Sequence, residues 1–100
     1  MPYTVRGAIE PLLAGKTVDV RGIGNSMTPL ITSGEVVLIA PLTADEQLVK
    51  GDIVLARVRG RVYLHLVHAV RGEMIQIGNN HGHINGWTAR SNIFGRRKKP

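Results

Sequence analysis

The chain has 100 residues, of which 43% are hydrophobic and none is cysteine. That length suits one small domain with its own core, and the missing thiols exclude disulfides, cysteine catalysis and cysteine-ligated zinc. The net charge is +6, but Arg96, Arg97, Lys98 and Lys99 supply four of the thirteen basic residues and the rest carries only about +2.

Residues 1–16 read as an N-terminal helical segment. Val5, Ala8, Ile9, Leu12 and Leu13 recur at helical spacing, with Thr4 as an N-cap and Gly15 as a stop. Pro11 predicts a short helix, or one that begins nearer Glu10. Neither a cleavable leader nor a run of ~18 apolar residues is visible, so the expectation is a soluble, cytoplasmic chain with no membrane span. Any membrane association would then come through a partner chain.

From residue 17 the pattern turns to β. "TVDVR" alternates, and "EVVLIAP" is a short apolar run after the Ser33-Gly34 turn. "GDIVLARV" follows Lys50-Gly51, Gly60 separates it from "RVYLHLVHAV", and Gly72 precedes "EMIQIG". "SNIFG" is a last short strand, and the Gly-rich "GHINGW" reads as a loop. Short strands at regular spacing with glycine turns predict a mainly β domain, an antiparallel sheet or partly closed barrel with one short helix, over 1–100. Residues 96–100 lie beyond Phe94 and read as a solvated basic tail, dispensable for folding. Such a run also binds nucleic acid or anionic surfaces. With no reading helix, no aromatic platform and no basic face in the body, nucleic acid is the lesser expectation.

Ser26 follows a Gly-Ile-Gly-Asn turn and precedes Met27 and Pro29, with strand patterns on either side. A serine on such a loop is a turn residue or a nucleophile, and a nucleophile needs a base. Four histidines are available: His65, His68, His81 and His83. Strand alternation puts His65 and His68 on opposite faces. His68 falls with Val62, Leu64, Leu66 and Val70 and reads as a core histidine. His65, with Tyr63, Val67 and Ala69, reads as the working one. The same alternation weighs against a zinc site built from the four histidines, and no metal or cofactor is expected.

"NSMTPLITSGEVVLIAP", "VKGDIVLARVRGRVYLHLV" and "IGNN", in that order, resemble the serine peptidase group of signal peptidases and LexA-type self-cleaving repressors. The likeness runs from about Val20 to Gly95. It implies Ser26 as nucleophile, Met27 and Pro29 as shapers of its loop, and a mainly structural Asp52. "His65-Leu66-Val67" resembles the base strand of the histidine-type signal peptidases, where the other branches carry lysine. The implied activity is peptide cleavage by a Ser-His dyad through an acyl-enzyme, on a polypeptide with small side chains beside the scissile bond.

The chain departs from the group's pattern in three places. Asn79 stands where the histidine-type enzymes have a first acid and Asn85 near the second, so no carboxylate is evident as the orienting group; the candidates are Asn85 and then Asn79, and the alternative is a bare Ser-His dyad. The helical segment of residues 1–16 is far too short for the membrane anchor of signal peptidases, and the 25 residues ahead of Ser26 show no helix-turn-helix pattern like that of the repressors. Ala14-Gly15 is a dipeptide such repressors cut, but it stands twelve residues before Ser26 and is not expected to reach it. The alternative to an enzyme is an inactive relative that keeps the fold for binding.

Overall fold

A computed structural model describes residues 1–98. After a short helix α1 (Ile9–Leu13), the strands are β1 (Val18–Arg21), β2 (Val36–Pro41), β3 (Ile53–Val58), β4 (Arg61–Arg71), β5 (Met74–Gly78), β6 (Ile84–Ala89) and β7 (Ile93–Arg97). A single 3-10 turn, Arg90–Asn92, leads into β7. All pair antiparallel in one sheet of order β1-β2-β7-β3-β4-β5-β6, which does not close into a barrel.

The helix has five residues, with Pro11 in its first turn and Gly15, at φ +83°, just beyond its end. Proline is tolerated in a first helical turn, where its missing N–H has no intrahelical partner to lose. Thr4 Oγ1 accepts from Gly7 N–H at 3.0 Å, capping the turn that precedes α1 rather than α1 itself. Among the described residues no helix is long and apolar enough to cross a membrane.

Both faces of the central strands are covered. On one side Ala8 and Leu12 pack with Val20, Met27, Ile31, Ile39, Leu55 and Phe94. On the other, Leu48, Val54, Val58, Val67, Ile75, Ile77 and Ile93 form a second cluster. Strand β3 feeds both, and this is why its sequence is a continuous apolar run rather than an alternating one.

Two segments differ from their sequence reading. The supposed loop "GHINGW" contributes β6, an edge strand paired with β5 from Met74↔Ala89 to Gly78↔Ile84. The supposed tail is structural as far as it is described. Strand β7 lies between β2 and β3, with Ala40↔Arg96, Ile39↔Arg97 and Val54↔Arg96 in register. Arg96 pairs with Glu46 and, at 3.3 Å, with Asp52, whose side chain is 3% exposed and also accepts Val49 N–H at 2.9 Å. Lys98 N–H still bonds Leu38 O, while Lys99 and Pro100 lie outside the described residues. A charge run reads as solvated by composition, but an arginine stem can lie along a sheet while its head meets carboxylates.

The expectation for this segment is therefore reversed. Deleting the chain from Arg96 onward should unfold the protein at a much lower urea concentration. The point variant Arg96→Ala, which leaves the Asp52 carboxylate with one donor, should cost roughly 1–3 kcal/mol. An unchanged urea midpoint in both would show that β7 needs neither arginine.

Candidate active site

Beyond β1 the backbone turns through Gly22-Ile23-Gly24 into a tight loop, Asn25 to Leu30. Gly24 has φ +87°, a conformation that favours glycine, and its N–H is held by Ser33 Oγ at 3.1 Å. Thr28 N–H bonds Asn25 O at 3.2 Å and Ile31 N–H bonds Met27 O at 3.0 Å. Met27 is 4% exposed and sits in the core beneath the loop. Its neighbour Ser26 is half-buried, as a residue flanking a buried anchor should be. Pro29 is at the exposed tip, after a cis peptide.

Opposite this loop stands β4. His65 pairs with Val54 of β3 and is 8% exposed. Its Nε2 lies 3.1 Å from Ser26 Oγ, and its Nδ1 lies 2.7 Å from Asn85 Oδ1. The Tyr63 ring stacks on the imidazole with centroids 4.9 Å apart, as expected of residues two apart on one strand face. An amide oxygen only accepts, so Nδ1 carries the hydrogen and the Nε2 lone pair faces the serine hydroxyl. Burial holds the pKa of His65 below the ordinary histidine value, against the opposing pull of the Asn85 hydrogen bond; His83 and His68 lower it further. A neutral imidazole with a free Nε2 is what a base must be at neutral pH.

Asn85 reaches His65 because β6 is bulged. Ile77 pairs with Gly86 and Gly78 with Ile84, which leaves Asn85 as the extra residue. A bulge bends the strand locally and re-aims a side chain, here past β5 to His65 on β4.

Asn79, the other candidate orienting group, is elsewhere. Its Oδ1 accepts His81 N–H at 2.8 Å and His83 N–H at 3.0 Å, and so it builds the β5–β6 turn. His68 is not the core histidine that alternation predicts. It is the extra residue of a second bulge, between Val67↔Ile77 and Ala69↔Gln76, and its Nε2 donates to Asn79 O at 2.8 Å. That ring lies close over Gly78, where any Cβ would come within 2.8 Å of Nε2. Among the described residues no three histidines or carboxylates come together as a metal site would need.

Asn80, to which the sequence reading gives no role, and His81, which it counts only among the four histidines, close the site from the β5–β6 turn. Asn80 N–H donates to Ser26 O at 2.8 Å, and Asn80 Nδ2 donates to Thr28 O at 2.8 Å. His81 Nε2 lies 2.9 Å from Asn25 O and 3.1 Å from Thr28 Oγ1. The only trace of this in the sequence is a polar, glycine-broken run between two apolar strands. Its partners are 52 to 56 residues away.

Ser26 and His65 open onto a cavity of about 150 Å³ walled by Val5, Ile23, Met27, Ile31, Val62 and Leu64. Beside it, Tyr3 makes a parallel bridge to the outer edge of β1: Tyr3 N–H bonds Asp19 O at 2.8 Å, and Arg21 N–H bonds Tyr3 O at 3.0 Å. The Ser26 N–H has no acceptor among the described residues.

Comparison with known proteins adds one finding. The model of the family described as Peptidase S24-like matches residues 9–91, a span that takes in Ser26, His65 and Asn85. No curated protein and no solved structure matches the chain.

Proposed function

This chain belongs to the Peptidase S24-like family, and on that premise we propose that it is a serine endopeptidase with Ser26 as nucleophile, His65 as general base and Asn85 as orienting group. The observation that carries the reading is the line of contacts Ser26 Oγ, His65 Nε2, His65 Nδ1, Asn85 Oδ1, at 3.1 and 2.7 Å.

His65 Nε2 takes the hydroxyl proton as Ser26 Oγ adds to a peptide carbonyl. The tetrahedral oxyanion finds the unused Ser26 N–H, a donor whose loss in such sites usually costs ~10²–10³ in rate. As the C–N bond breaks, His65 returns the proton to the leaving amine. A water molecule then gives its proton to His65 and attacks the ester, releasing the new carboxyl end and restoring Ser26. Asn85 keeps the ring in the tautomer that every step needs.

The substrate is an extended polypeptide. Tyr3 already occupies the edge of β1 as far as Arg21, so the substrate backbone pairs beyond it, beside Ile23, in the manner of strand addition. The apolar cavity of about 150 Å³ takes a small aliphatic side chain next to the scissile bond.

The second reading is an inactive relative that binds peptides without cutting them. It is favoured by one observation, that an amide rather than a carboxylate faces His65. A fluorophosphonate probe separates the two. Covalent labelling mapped to Ser26 is the expected result. A protein that binds peptides but leaves the probe unreacted, at concentrations that label other serine hydrolases, is the binding module.

A further inference from the structure

The two peptide groups that flank Ser26 are both held by the β5–β6 turn, and both through their carbonyl oxygens. Asn25 O accepts from Thr28 N–H at 3.2 Å, from Thr28 Oγ1 at 2.9 Å and from His81 Nε2 at 2.9 Å. Ser26 O accepts from Asn80 N–H at 2.8 Å. A carbonyl oxygen has no hydrogen to give, so His81 carries its proton on Nε2 in this contact.

A trans peptide is planar, and its C=O and N–H point to opposite sides. The Asn25–Ser26 peptide is trans. Fixing Asn25 O therefore fixes the direction of the Ser26 N–H, the one donor of the loop that the catalytic step needs. Thr28 belongs to the same turn and moves with it. His81 is the contact to that oxygen that comes from outside the loop, 56 residues along the chain. A donor on the carbonyl also polarises the amide and makes its N–H a better donor, as hydrogen bonds in a chain strengthen one another.

We propose that His81 is a positioning residue: through Asn25 O it sets the orientation and strength of the Ser26 N–H as oxyanion donor, so that the β5–β6 segment governs both halves of the site, the nucleophile loop through Asn80 and His81 and the base through Asn85. The proposal rests on the serine peptidase reading. It assigns to an exposed histidine, in no contact with His65, an effect on the chemical step.

The test is the second-order rate of Ser26 phosphonylation by a fluorophosphonate, whose phosphoryl oxygen takes the oxyanion's place. It is run on the parent protein, His81→Ala and His81→Gln, each with a thermal unfolding curve. A glutamine amide can place an N–H near the Nε2 position; alanine cannot. Donor misplacement of this kind should slow His81→Ala by about 10- to 100-fold. His81→Gln should recover to within several-fold of the parent, with both unfolding near the parental temperature.

Parental labelling in His81→Ala overturns the proposal. So does a glutamine variant as slow as the alanine one, because then the hydrogen bond is not what matters. A loss of rate that follows a loss of fold in both variants assigns His81 a structural role and overturns it as well. An unlabelled parent protein is the separate outcome in which the peptidase reading fails and this proposal falls with it.

Discussion

Ser26→Ala should lose fluorophosphonate labelling altogether while unfolding at nearly the parental temperature. Removing the oxygen removes the only atom that forms the covalent bond, so the loss should exceed the ~10²–10⁴ that a general base contributes. Stability should hold because Ser26 is half-buried on a turn and the loop is anchored without its hydroxyl. Met27 is in the core, and Asn80 bonds the Ser26 carbonyl, which alanine keeps. A surface-loop change of this sort usually stays within about 0.5 kcal/mol. Undiminished labelling, at another residue, would remove Ser26 from the mechanism. A large drop in unfolding temperature would mean that the hydroxyl has a structural task.

Asn85→Asp should accelerate the reaction. In Ser-His-Asp enzymes, replacing the acid by an amide can cost ~10⁴ when the amide forces the wrong tautomer. Here the amide oxygen already faces Nδ1 at 2.7 Å, so the tautomer is right and only the charge is missing. The gain should thus be well below that figure, about 10- to 100-fold near neutral pH. The sign for pH follows from the same contact. His65 is held below the ordinary histidine value chiefly by burial, so the parent should act as a base down to unusually low pH and lose activity only as that lowered pKa is passed. An aspartate beside Nδ1 favours the imidazolium and raises the pKa, so the acid limb of the variant should move to higher pH while its plateau rises. Asn79→Asp should do neither, since its side chain is committed to the His81 and His83 amides. If Asn85→Asp changes neither rate nor titration, Asn85 is not the orienting group.

What could be read in the sequence depended on how local the cause was. That Ser26 and His65 come together is legible because the block order marks a loop followed by a base strand. Asn85 was legible only through the resemblance. Its strand went unread because a glycine at φ +140° and a bulge break the alternation of β6. The bulge at His68 defeated the same rule on β4, for alternation predicts faces only while the register is unbroken. Arg96 and Arg97 were misread for a different reason: composition sees a charge run, whereas β7 is a central strand whose arginine meets Glu46 and Asp52 far back in the chain. The contacts of Asn80 and His81 with the nucleophile loop give no signal, since a hydrogen bond between two turns over 50 residues apart leaves no periodicity behind.

The central claim is that Ser26 and His65 act as one unit. The most direct measurement sets the pH dependence of Ser26 labelling against the titration of the His65 ring followed by NMR in the same protein. The expected result is a single midpoint shared by both curves, below the ordinary histidine value of 6.5, with labelling slowed by ~10²–10⁴ in His65→Ala. A labelling rate that ignores the His65 titration, or that survives His65→Ala, would contradict it.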